Sequence, residues 1–205
     1  EQWPRSQEAD GAGQTCSFLR TVFRIGVMKG IPMNPIQITD QAKISALCRE
    51  AERLEEDALY SSKGHFNAED TWVRRNYWLG VPATTLGAIA GAALVKSQPE
   101  LASAFTLLAS LLTGLMTFLK PNERAAMHRA AAGQFLALRN EARFFREVEL
   151  LETDRLGELL ERLKALSSAR NELNQKSPSI PRRAFVAARK GIEEGEATHK
   201  VDMEK

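Results

Sequence analysis

The sequence lacks most of the residue patterns that catalysis or metal binding requires. It contains only two cysteines, Cys16 and Cys48, and their spacing indicates neither a disulfide framework nor a zinc site. The three histidines, His65, His128 and His199, form no metal-binding pair within a predicted bundle helix. A phosphate-binding glycine loop, a Gly-x-Ser-x-Gly motif and a Cys-x-x-Cys motif are all missing. We therefore expect a protein that is not an enzyme, with no catalytic residues, no metal site and no cofactor.

An excess of charge of one sign is missing as well. The 28 lysines and arginines nearly balance the 26 aspartates and glutamates, which leaves a net charge of +2. This balance gives no sign of a nucleic-acid-binding protein. The charges are unevenly distributed, however, because they are absent from two long runs, 77–95 and 101–119, and dense on both sides of them.

These two uncharged runs, separated by the short polar segment 96–100, predict a membrane hairpin. Each has close to the roughly 20 residues that a helix rising 1.5 Å per residue needs to cross the hydrocarbon core of a bilayer. Lipid offers the backbone no hydrogen-bond partners, so such segments must be helical. The competing interpretation is a buried hairpin at the core of a soluble bundle, which the Ala- and Gly-rich first run allows. Because soluble core helices normally carry a charged stripe and neither run does, we favour two transmembrane helices.

Basic and aromatic residues flank the outer ends of the predicted hairpin. Its turn carries only Lys96 and Glu100. By the positive-inside rule we expect both termini in the cytoplasm, and we expect the aromatic rings in the headgroup layer. The predicted membrane-interface residues are Trp72, Arg74, Arg75, Tyr77, Trp78, Lys120 and Arg124.

Two patterns inside the runs bear on helix packing. On the second run, hydroxyl side chains recur at steps of three and four: Ser103, Thr106, Ser110, Thr113 and Thr117. They predict either the wall of a water-filled pore between assembled hairpins, or hydroxyls that bond back to their own helix and let helices pack closely. On the first run, a face of small residues indicates close helix contact, within the hairpin or between copies. This face consists of Gly80, Thr84, Gly87 and Gly91.

Long helices are predicted on both sides of the hairpin. A helix beginning at Asp40 ends near Asn67, or runs on through Trp72 into the membrane. It carries a coiled-coil-like seam of Ile44, Leu47, Ala51, Leu54 and Ala58. The region 122–175 has no proline and predicts one or two long helices that need a partner, supplied by the first helix and by other copies. Their apolar stripe comprises Phe135, Leu138, Ala142, Phe145, Leu156, Leu159, Leu163, Leu166 and Leu173.

The expected fold class is therefore all-α: a two-helix transmembrane hairpin with long cytoplasmic helices that form a coiled-coil-like bundle. We expect a partly disordered N-terminal segment at 1–39, the membrane domain at 40–175 and a C-terminal tail at 176–205. Within the first segment, 16–28 fits a basic amphipathic helix, and 22–28 alternatively fits a strand. Within the tail, 182–190 fits a short basic helix.

Three runs resemble the SLATT domain family, named for SMODS and SLOG-associating two-transmembrane effectors. They are Trp-Leu-Gly-Val-Pro-Ala-Thr-Thr-Leu at 78–86, Leu-Leu-Thr-Gly-Leu-Met-Thr-Phe-Leu-Lys-Pro-Asn-Glu-Arg-Ala at 111–125, and His128 with Phe-Leu-Ala-Leu-Arg-Asn at 135–140. The resemblance covers about residues 42–166 and is most specific around the end of the second run. It implies an effector of bacterial anti-phage defence, acting by abortive infection, that oligomerises and permeabilises the inner membrane.

The expected partners are the lipid bilayer, from the uncharged runs, and further copies of the chain, from the long helices that need a partner; the balanced charge predicts no direct nucleic-acid contact. The resemblance adds a co-encoded sensor of the nucleotidyltransferase or reverse transcriptase type. A function of a different class stays open: a non-conducting, membrane-anchored scaffold that recruits a defence partner through the seam and the long C-terminal helix. A soluble helical bundle is the third interpretation.

Overall fold

The computed structural model describes residues 35–152 and 155–197 of the 205-residue chain. Residues 1–34 of the predicted N-terminal segment, including the helix or strand predicted within 16–28, therefore lie outside the described residues. Within the described ranges every regular element is helical and no strand occurs. Two of the helices are long and apolar enough to cross a membrane. The all-α class predicted from the sequence is thus confirmed.

The first helix, α1, runs without interruption over Pro35–Val95. Its 61 residues correspond to about 90 Å at 1.5 Å per residue. Of the two alternatives that the sequence left open, the structure has the one in which the helix continues past Asn67 and Trp72 into the first uncharged run. Pro82 lies inside α1 and does not end it.

In the described ranges, the helices numbered α2 to α5 follow α1. Helix α2 is followed directly by α3, and α3 is extended by a π-helical turn, Phe145–Glu149, and a short α-helical stretch, Leu150–Glu152. The region 122–175 thus contains two long helices, α3 and α4. The bounds are Pro99–Leu119 for α2, Pro121–Phe144 for α3, Leu156–Lys176 for α4 and Arg182–Glu193 for α5.

The chain reverses after α1, and α2 and α3 then follow α1 back along its length. Two non-glycine residues in the left-handed region mark the junctions: Ser97, with φ of 54°, and Lys120, with φ of 46°. Pro99 and Pro121 begin the helices that follow, where a missing N–H removes no intrahelical hydrogen bond. The charged part of α1 therefore packs against α3, and the uncharged part packs against α2.

Among the described residues, the main hydrophobic cluster lies in the charged half of the molecule. Four members of the α1 seam are buried there, Leu47, Ala51, Leu54 and Ala58, while Ile44 is half-buried. They pack against the buried stripe of α3, the π-helical turn and α4: Phe135, Leu138, Ala142, Phe145, Leu159, Leu163 and Leu166, with Leu156 and Leu173 at its margin. Both apolar stripes read from the sequence thus contribute to one core.

Cys48 is fully buried in this core and is disulfide-bonded. The sequence did not indicate a disulfide, because the spacing of the two cysteines matches no disulfide framework. The other cysteine, Cys16, lies outside the described residues.

Helix α5, at the predicted basic segment of the tail, packs across the middle of α1. Ala184 and Ala188 are buried, and Asn67 Nδ2 donates a 3.2 Å hydrogen bond to the carbonyl of Ala184. Gly64 permits this approach, since a β-carbon at that position would lie 3.1 Å from Ile180 Cδ1. The C-terminal region therefore covers the part of α1 that lies one to two turns before Trp72.

Candidate membrane-spanning pair and its boundary

The apolar helix pair, residues 77–95 of α1 and 101–119 of α2, is almost uncovered. Only 17% of the residues in the most apolar window of α1 are buried, and only 6% in that of α2. Large apolar side chains point outward along both helices; Trp78 is 75% exposed and Phe118 is 84% exposed. A contiguous apolar surface of this kind marks an interaction site or a membrane-facing surface. A pair buried in the core of the chain's own bundle would not show such exposure.

The contact between the two helices of the pair is made by alanine rather than by the glycine motif. Ala83, Ala90 and Ala93 of α1 and Ala102 of α2 are buried at the contact. Of the predicted packing residues, Gly80 is close to α2, since a β-carbon there would lie 3.3 Å from Met116 Cε. Thr84 donates its hydroxyl to the carbonyls of Gly80 and Val81 in its own helix.

The other two glycines of that face, Gly87 and Gly91, lie beside open space, because a β-carbon at either position would have no neighbouring atom within 4 Å. They lie along an open groove of about 1040 Å³ between the two helices. The opposite wall carries four of the five hydroxyl residues, Ser103, Thr106, Ser110 and Thr113. The glycine and hydroxyl patterns, which the sequence shows separately, therefore meet in one groove, whereas Thr117 lies outside its lining.

The hydroxyl protons of this stripe are used within α2. Ser103, Thr106, Thr113 and Thr117 each donate to the carbonyl four residues earlier, at 2.7 to 3.0 Å. This is the geometry of the close-packing alternative, in which the hydroxyl bonds back to its own helix. A hydroxyl oxygen that donates its proton still has acceptor lone pairs. At Ser103, Thr106 and Thr113 the groove wall therefore presents hydrogen-bond acceptors rather than donors.

The predicted interface residues separate into a cluster and a set of independent side chains. Trp72 has two guanidinium groups over its ring: the Cζ of Arg75 is 4.5 Å from the ring centroid and that of Arg124 is 5.0 Å away. Lys120 forms an exposed ion pair with Glu123 at 3.2 Å. The exposed Arg74, Tyr77 and Trp78 do not join this cluster.

A buried histidine pair lies on the bundle side of these interface residues, and the sequence did not predict it. The Nδ1 atoms of His65 and His128 are 2.9 Å apart, and the two residues are only 2% and 4% exposed. The His65 ring also stacks on Phe135, with centroids 5.5 Å apart. A hydrogen bond between two imidazole nitrogens needs one protonated and one bare nitrogen, so the pair links α1 to α3 only when at least one ring is neutral.

Burial sets the proton affinity of this pair. Desolvation lowers the pKa of His65 to about 4, with the neighbouring His128 as the second cause. Desolvation also lowers the pKa of His128. A signal for the pair was present in the sequence, because His65 follows Ala58 by seven residues and His128 precedes Phe135 by seven. Extending both apolar seams by one repeat would have placed the two rings in the same core.

Among the described residues, no group of three or more histidine, cysteine, aspartate or glutamate side chains could hold a metal ion. Comparisons with protein-family models, with curated proteins and with solved structures found no match to the chain.

Proposed function

We propose that the chain is a membrane effector of a bacterial anti-phage, abortive-infection system, which oligomerises and permeabilises the inner membrane. The observation that carries the membrane part is the exposure of the apolar helix pair, since the most apolar windows of α1 and α2 are 17% and 6% buried. An uncharged surface of that length is unfavourable in water and favourable in lipid. The defence context is supported by the resemblance of 78–86, 111–125 and 135–140 to the SLATT family.

In this proposal the helix pair is a hairpin that spans the bilayer with both termini in the cytoplasm. The basic residues on the two outer ends support this orientation. The core of α1, α3 and α4 then forms a coiled-coil-like cytoplasmic bundle, and copies of the chain associate through it. A co-encoded sensor acts on that bundle.

Two helices cannot enclose a conducting path, so conduction requires several hairpins. In this assembly the groove, which is lined by Gly87, Gly91 and the hydroxyl stripe, faces the shared lumen. The acceptor oxygens of Ser110 and Thr113 would then contact water and cations along the path. The open space beside Gly87 and the lack of charge on the groove wall both support this arrangement.

The continuity of α1 supports a direct link from the bundle to the groove. Leu54 in the core and Gly87 in the groove belong to one uninterrupted helix. A rotation or shift of α1 at the bundle is therefore transmitted to the groove without passing through a loop. Such rigid-body helix movements are a common form of conformational switching.

The groove assignment is tested with matched hydroxyl substitutions on one helix. Thr113→Leu narrows the groove and removes an acceptor, whereas Thr117→Leu makes the same chemical change on the same helix outside the groove. We expect Thr113→Leu to abolish ion leakage from liposomes that contain the full-length protein, and Thr117→Leu to retain it. Both variants should remain in the lipid fraction. Equal leakage from the two variants would reject the groove as the conducting path.

The second candidate function is a non-conducting membrane-anchored scaffold. It is favoured by the hydroxyl protons of α2, which are already bonded within the helix in a single chain. Membrane potential separates the two functions: loss of the potential on induction supports the pore, and a captured partner with an intact potential supports the scaffold. Cell fractionation tests the third interpretation, a soluble bundle.

A further inference from the structure

Within the described part of the chain, the arginines at the base of the apolar helix pair have no carboxylate partner, although a neighbouring arginine has one. One layer further into the bundle, Arg129 pairs with Glu69 at 2.9 Å. Among the described residues, no ion pair includes Arg74, Arg75 or Arg124, and Asp70 pairs with none of them. None of the carboxylates in 35–152 and 155–197 therefore neutralises these exposed guanidinium groups at the base of the helix pair.

Two of these guanidinium groups are held in place by Trp72. Arg75 comes from α1 and Arg124 from α3, and both lie over the indole ring. Arg124 Nε also donates a 3.0 Å hydrogen bond to the carbonyl of Leu119, at the end of α2. The Nη groups of Arg124 make no hydrogen bond to the described residues. A guanidinium that stacks on an aromatic face keeps its N–H edge available for a planar or tetrahedral anion.

The position of this cluster identifies the anion. The uncharged run of α1 begins at Tyr77, two residues after Arg75, and the uncharged run of α2 ends at Leu119, just before Lys120 and Arg124. If the helix pair spans a bilayer, the cluster lies at the depth of the phospholipid phosphates. Arginine binds phosphate through two parallel N–H···O bonds, and prior fixing of the side chains reduces the entropy lost on binding.

We infer that Trp72, Arg75 and Arg124 form a binding site for the phosphate of an anionic phospholipid in the cytoplasmic leaflet. This inference rests on the proposed insertion of the helix pair into the membrane. The bound phosphate joins a side chain of α1 to one of α3, so it fixes the bundle against the base of the hairpin. A zwitterionic headgroup also carries a phosphate, but its cation cancels the charge, and the site therefore favours lipids of net negative charge.

The test uses the full-length protein in an uncharged detergent, titrated with a short-chain phosphatidylglycerol. Binding is followed by tryptophan fluorescence, and short-chain phosphatidylcholine and inorganic phosphate are the comparison ligands. We expect saturable binding of phosphatidylglycerol, with much weaker binding of the other two. Equal affinity for phosphatidylcholine would overturn the preference for anionic lipid, and equal affinity for inorganic phosphate would overturn the assignment to a lipid.

Three double variants test the residues. The variant that combines Arg75→Gln with Arg124→Gln should bind phosphatidylglycerol about twenty-five-fold more weakly, because each basic side chain near an anionic surface contributes roughly a factor of five. The control variant combines Arg155→Gln with Lys164→Gln and loses the same charge at the far end of the bundle, where both side chains are exposed. It should bind phosphatidylglycerol like the native chain. Arg75→Lys with Arg124→Lys retains the charge but loses the planar fork, and should bind several-fold more weakly.

Each outcome decides the inference. If the lysine variant bound phosphatidylglycerol with native affinity, binding would depend on unspecific charge attraction and not on a defined site. The same conclusion would follow if the distal control bound as weakly as the Arg75→Gln, Arg124→Gln variant. Helix content by circular dichroism identifies a variant that has failed to fold. A native chain that is extracted from membranes but shows no preference for phosphatidylglycerol contradicts this inference alone, whereas a native chain that is soluble without detergent contradicts the proposed function as well.

Discussion

Acidification should destabilise the helical bundle through the buried His65–His128 pair. The pKa of His65 is lowered from 6.5 to about 4 in the folded chain. The unfolded chain therefore takes up the proton more readily, so stability is constant above pH 6.5 and falls as the pH decreases from 6.5 towards 4. For His65 alone, these two pKa values correspond to a loss of about 2 kcal/mol between pH 8 and pH 5.

The assay is denaturant unfolding of the full-length protein in detergent, followed by circular dichroism at pH 8 and pH 5. The double variant His65→Leu with His128→Leu removes both titrating groups and the hydrogen bond together, so it should unfold at nearly the same denaturant concentration at both pH values. The single variant His65→Leu leaves His128 buried without its partner and should lose about 1–3 kcal/mol at pH 8.

The double variant also serves as the control for acid effects elsewhere in the chain, because surface carboxylates titrate identically in both proteins. If the native chain and the double variant lose the same stability between pH 8 and pH 5, the histidine pair is not the origin of the effect. A native chain with equal stability at both pH values would contradict the lowered pKa itself.

Other substitutions test the bundle and the groove. Arg146→Met should cost about 3–5 kcal/mol of unfolding free energy, because Arg146 is buried and its loss leaves Glu55 without its 3.0 Å partner. The exposed Arg53→Met should change stability by less than about 1 kcal/mol in the same denaturant assay. Gly87→Leu should preserve the fold and the cross-linked oligomers but reduce ion leakage, since its side chain would enter the open space of the groove, whereas Gly80→Leu should strain the helix pair itself against Met116. A Gly87→Leu chain that leaks ions like the native chain would exclude the groove as the conducting path.

The elements that depend on local pattern could be predicted from the sequence. The uncharged runs 77–95 and 101–119 show in the composition alone, and the apolar repeat from Leu47 to Ala58 defines the buried face of α1 without any knowledge of its partner. Both signals are properties of a single helix, so no tertiary information is needed to find them.

The features that depend on register between helices could not be predicted in the same way. Whether α1 stops near Asn67 is decided by the packing of α3 and α5 against that region, and the local sequence contains no clear stop signal. The contact of Trp72 with Arg124 requires the turn at Lys120 to bring α3 back beside α1. Likewise, the groove exists only because the glycine face of one helix and the hydroxyl face of the other lie on the same side of the pair.

Labelling introduced cysteines with a membrane-impermeant maleimide in spheroplasts shows whether the apolar helix pair crosses a lipid bilayer. We expect Ser97→Cys, in the turn of the pair, to react in intact spheroplasts, whereas Ser179→Cys, between α4 and α5, should react only after lysis. The unmodified chain provides the background from its native cysteines. If both positions reacted only after lysis, with the protein recovered in the soluble fraction, the helix pair would not span the membrane.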